Sequence, residues 1–96
     1  MRIDKNTEEF YKSLKEKLSN DTFWPSDYLY KFIVPSDETK VTQIENTFNN
    51  LGAVITTRES SKGNFTSITI LVKMKNPDAV IEKYLEVSII EGIISL

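Results

Sequence analysis

Ninety-six residues, 40% of them hydrophobic and 27% charged, suit one small soluble domain with a single modest core. Twelve basic against fourteen acidic residues leave a net charge of −2, which argues against a broad basic footprint for nucleic acid or an anionic membrane. With neither cysteine nor histidine, the chain has no disulfide scaffold, no thiolate zinc site, no thiol nucleophile and not the commonest general base.

Residues 5–19 read as a helix, because Phe10, Leu14 and Leu18 recur at i, i+4 and i+8 with Tyr11 beside them. Thr7 ahead of Glu8 and Glu9 suits its start, and Ser19-Asn20-Asp21 its end. The stripe is narrow, so this helix needs a surface to dock on. Tyr28–Val34 is the first strand, with Tyr30, Phe32 and Val34 on one face and Leu29, Lys31 and Ile33 on the other. Pro35 stops it. Ser36 or Asp37 then caps a helix whose stripe is Val41, Ile44, Phe48 and Leu51, with Gly52 as its C-terminal left-handed residue.

Residues 53–74 form a hairpin pivoting on Lys62-Gly63-Asn64. In its second arm Ile68, Ile70 and Val72 share one face, Ser67, Thr69 and Leu71 the other. Asn76-Pro77-Asp78 starts a helix with Val80, Ile81, Tyr84 and Leu85 inward. Ile89–Leu96 closes the chain as a strand, and Gly92 marks a bulge or a close backbone contact.

The pattern is α+β. After a helical extension (residues 1–22), residues 23–96 run β-α-β-β-α-β, the ferredoxin-like order, which places an antiparallel sheet in the sequence 4-1-3-2 with both helices on one face. The other face then carries Leu29, Ile33 and Leu71, joined by Ile93 or Ile94, and is too apolar to stay bare. The N-terminal helix is expected to cover it through Phe10, Tyr11, Leu14 and Leu18, giving a monomer; a homodimer is the alternative.

Ser60-Ser61-Lys62-Gly63-Asn64-Phe65 running into an alternating strand resembles the hairpin of the YbeD-like family, small bacterial proteins of unknown function. Trp24-Pro25 followed by Tyr28, Tyr30 and Lys31 is similar to that family's aromatic–proline approach to its first strand. The resemblance spans 23–96 and implies a ferredoxin-like fold related to ACT regulatory domains. Such domains often have a glycine between the first strand and first core helix; Val34-Pro35-Ser36-Asp37 has none, which speaks against an amino-acid sensor.

The acidic residues fall on helix faces and caps that read as exposed, so no enzyme and no cofactor are expected. The densest polar cluster is the hairpin tip. Ser60, Ser61, Lys62 and Asn64 supply donors around Gly63, whose neighbourhood can expose backbone N–H groups to an anion, and Arg58 adds a guanidinium. The competing reading is a solvated turn whose serines bond the local backbone. Lys31, among apolar neighbours, is either a snorkelling lysine or a charge aimed at a ligand or partner. These residues point to a regulatory or interaction module that contacts another protein or a small anionic metabolite. An RNA-binding accessory domain using the open face is the alternative, with Phe65 as that face's one aromatic residue. The charged N-terminus and the lack of a long apolar run lead us to expect no signal peptide, no membrane span and a cytoplasmic address.

Overall fold

A computed structural model describes residues 5–96. The elements are α1 (Lys5–Asp21), β1 (Ser26–Pro35), α2 (Glu38–Thr47), β2 (Val54–Glu59), β3 (Phe65–Met74), α3 (Pro77–Val87) and β4 (Ile94–Ser95). They build an α+β molecule with one open antiparallel sheet of four strands in the order β2-β3-β1-β4. Counted from the opposite edge, that order is β4-β1-β3-β2.

The core lies between the sheet and the two helices α2 and α3. Even-numbered residues of the two central strands face it, in the register Tyr30↔Ile70 and Phe32↔Ile68, and these four are fully buried. Ile44 and Phe48 from the α2 segment and Val80, Tyr84 and Val87 from α3 close the other side. The inward stripe of α3 thus rests on Val87, while Ile81 and Leu85 are only half-buried. Tyr30 sits at the centre, its ring 4.8 Å from that of Phe48 and 4.9 Å from that of Tyr84.

Buried phenols require partners, and they have them. The Tyr30 hydroxyl donates to the Val80 carbonyl at 3.1 Å, and those of Tyr28 and Tyr84 pair at 2.8 Å. Burial, reinforced by the nearby Tyr28 and Glu86, pushes the Tyr30 phenol well above the ordinary value of 10.0. Tyr84 is raised further, first by burial and then by its bond to Tyr28.

Asp37 is the cap of α2, accepting from the Thr39 N–H at 2.9 Å. This helix ends sooner than its stripe suggests. Phe48 is the C-cap, Leu51 turns outward, and Gly52 (φ +72°) belongs to the turn into β2. α1 begins at Lys5, as the range 5–19 has it, so Thr7 lies inside the helix rather than at its start.

Two larger differences bear on function. α1 docks on its own chain, but beside α3 rather than over the open sheet face. The Tyr11 ring lies 6.2 Å from that of Tyr84, Leu14 and Leu18 pack against the core, and Lys15 meets Asp78 at 2.7 Å. The cause is local. The Trp24 indole N–H donates to the Leu18 carbonyl at 3.1 Å, tying the end of α1 to the start of β1. Phe10, counted in the docking stripe, is left 63% exposed.

The final strand shrinks to Ile94–Ser95. Ser88 caps α3, its N–H donating to the Tyr84 carbonyl at 3.0 Å, and turns follow, with Ile90 N–H donating to Val87 at 3.0 Å and Ile93 N–H to Ile90 at 3.3 Å. Ile90 fills the core from within these turns. Gly92 (φ +83°) makes the close contact expected of it, because a Cβ there would stand 3.0 Å from both Cδ and Cγ of Pro35.

Candidate functional site

Strand register aligns the residues of the open face in rows. Val54, Leu71 and Leu29 form one, Thr56, Thr69 and Lys31 the next, and Arg58, Ser67 and Ile33 a third that Ile94 extends on β4. Phe65 follows, opposite Pro35. Val54, Leu29, Leu71, Phe65 and Ile94 are 45% to 64% exposed, and no described element lies over them. The face is thus two apolar bands separated by a polar row with Lys31 in it.

The hairpin tip adjoins the second band. Ser60 shapes the turn. Its N–H donates to the Phe65 carbonyl at 2.7 Å, its carbonyl accepts from the Gly63 N–H at 2.9 Å, and its hydroxyl oxygen accepts from the Phe65 N–H at 3.1 Å. Gly63 takes the positive φ of +74° that the turn needs. Its N–H, already committed to Ser60, is not available to an anion. The Asn64 carbonyl accepts from the Ser36 N–H at 2.9 Å, and the Ser36 and Thr66 hydroxyls pair at 2.9 Å. The tip is therefore clasped to the junction of β1 and α2.

Beside the tip lies an open hollow of about 420 Å³, lined by Arg58, Glu59, Ser60 and Ser61 together with Ile33, Phe65 and Ser67. The structure thus gathers Arg58, Ser60 and Ser61. Lys62, Gly63 and Asn64 are exposed at the turn and do not line the hollow, and Lys31 stands one row away on the same face. Sequence reasoning does not assign Ile33 and Phe65 to this hollow, although both complete it. The odd-numbered alternation of β1 and β3 places both on the open face, and strand register brings them to the hollow. The lining combines an apolar floor with a guanidinium offset by a carboxylate, which suits an apolar side chain carrying a nearby acid better than a bare inorganic anion.

Residues 20–96 match the family described as Protein of unknown function (DUF493). The chain belongs to that family. The span of the DUF493 match includes all four strands, α2, α3, the open face and the hairpin, while most of α1 lies outside it. No curated protein and no solved structure matches the chain.

The DUF493 chain has a second hollow, of about 320 Å³, where β3 leads into α3; Lys73, Lys75 and Lys83 line it with Glu82 among them. Lys83 is engaged by Glu86 at 2.8 Å. Among the described residues no three acidic side chains converge as metal ligands would, and no helix is long and apolar enough to cross a membrane.

Proposed function

We propose that this DUF493 chain is a non-enzymatic, cytoplasmic regulatory or protein-interaction module, YbeD-like by family and ferredoxin-like and ACT-like in fold, that receives a partner protein on the open face of its sheet. One observation carries the reading: two exposed apolar bands flank Lys31 on a sheet face that an isolated domain would fill with polar residues. Arg58, Ser60, Ser61, Lys62 and Asn64 border that face with donors suited to an acidic group on the partner or to a small anionic metabolite. RNA binding on the same face is the second reading, favoured by exposed Phe65 next to Arg58.

The test is quantitative affinity capture from lysate with the native chain, Leu29→Asp/Leu71→Asp and Arg58→Glu/Lys62→Glu. A protein held by the native chain should be lost by the first variant and weakened by the second. Arg58→Glu/Lys62→Glu should melt within a few degrees of the native chain, since exposed substitutions typically change stability by about 0.5 kcal/mol or less. Leu29→Asp/Leu71→Asp sets two carboxylates opposite each other and should melt lower while remaining cooperatively folded. Equal recovery on all three sinks the reading. A retarded RNA band that fades with added salt and needs Phe65 would put the second reading in its place.

A further inference from the structure

If a partner docks on the open face as proposed, the spacing and charge of that face specify the chemistry of the occupant. Leu29 and Ile33, which anchor the two apolar bands on β1, are four residues apart, or about 13 Å at the rise of a strand. Lys31 lies midway, about 6.6 Å from each. An α-helix repeats a side chain on one face at i, i+4 and i+8, about 6 and 12 Å along its axis. An apolar–polar–apolar pattern with one helical turn per step therefore fits the three rows. The covered face of this sheet already carries a helix layer, and a helix is the ordinary means of burying a half-apolar sheet.

Charge fixes the sign of the middle step. The face bears Lys31, Arg58 and Lys73 against Asp27, which is paired in register with Lys73, and Glu59 at the rim of the hollow. Lys31 has Thr69 beside it in register, Thr56 beyond that and, on the other edge, Leu96, whose N–H donates to the Lys31 carbonyl at 2.9 Å. Among the described residues neither Lys31 nor Arg58 forms an ion pair. A second copy docked face to face about an axis near Lys31 would set this cation against its own equivalent, an arrangement that costs binding energy. We infer that the open face takes an acidic amphipathic helix of a partner protein. Its apolar side chains, two turns apart, seat on the Leu29–Leu71 and Ile33–Phe65 bands, and a carboxylate between them meets Lys31.

The experiment is selection from a displayed library of helical peptides randomised at i, i+4 and i+8, with the full chain as bait. Peptides carrying Leu, Ile or Phe at the outer positions and Asp or Glu at i+4 should be enriched. Lys31→Glu should weaken such a peptide by about tenfold, and exchanging the peptide's acid for lysine should restore it. Absence of enrichment, or enrichment without the central acid, overturns the inference. The docking reading survives that outcome if cellular capture still depends on Leu29 and Leu71, and falls with it if capture does not. Light scattering from the bait supplies the remaining arm. A dimer that Leu71→Asp dissociates would identify a second copy as the occupant and overturn the acidic helix.

Discussion

The two faces of this sheet are built from adjacent residues of the same strands and have opposite environments. Tyr30, Phe32 and Val34 are sealed beneath α2 and α3, whereas Leu29 and Ile94 keep about half their surface in water. Apolar character therefore has two meanings along one stretch of chain. On the covered face it is a source of stability. On the open face it contributes little to folding, so its presence there calls for another explanation.

The comparison breaks most sharply on single truncations in β1. Phe32→Ala should cost about 3 to 5 kcal/mol in urea titration, as expected for a buried aromatic residue, while Leu29→Ala should stay within about 1 kcal/mol of the native chain. Equal losses would mean that the open face is covered in solution.

Alkaline titration separates the faces chemically. Tyr30 and Tyr84 stay protonated in the folded chain above the value at which they ionise once unfolded, about 10. Their contribution is complete below pH 10 and is lost as pH rises beyond it, by about 1.4 kcal/mol per pH unit for each tyrosine. The open face holds no tyrosine. Melting curves between pH 9 and about 11.5 should thus show a slope that Tyr84→Phe flattens and Leu71→Asp does not.

The dock of α1 is intermediate. Leu14→Ala/Leu18→Ala should lower stability by about 2 kcal/mol, because both residues are only half-buried. Binding at the open face should be unaffected; a change would place α1 over that face. The smallest effect belongs to Lys15→Ala. Its bridge to Asp78 is solvent-exposed at both ends, and its loss should shift the midpoint by no more than about 0.5 kcal/mol.

The central strands were legible in the sequence because each buries one face only, so alternation in Tyr28–Val34 and Ser67–Val72 separates inside from outside. The site of α1 was not. A stripe of Tyr11, Leu14 and Leu18 says that a helix docks, and the choice of surface was made by the Trp24–Leu18 bond and the meeting of Tyr11 with Tyr84. Ile89, Ile90, Ile93 and Ile94 have the β-branched density of a strand, yet successive turns send Ile90 inward and leave pairing to Ile94 and Ser95. At the candidate site, Arg58, Ser60 and Ser61 were legible as donors near a turn. That Ile33 and Phe65 join them depends on the register Arg58↔Ser67↔Ile33, which no local pattern specifies.

The clasp at Ser36 has a consequence in kinetic terms. Its hydroxyl meets that of Thr66 across 30 residues of sequence, and the neighbouring Pro35 lies against Gly92 farther still along the chain. Both contacts close long loops that no helix or tight turn shortens until β1 and β3 have paired. We expect them to form late, and Ser36→Ala tests this. It should raise the unfolding rate and leave the folding rate unchanged, and slower folding would place the clasp in the nucleus. Interactions that form late act mainly on the rate of opening. On that expectation the clasp governs how long the hairpin and the β1–α2 junction stay joined once the chain is folded, far more than how quickly the chain folds.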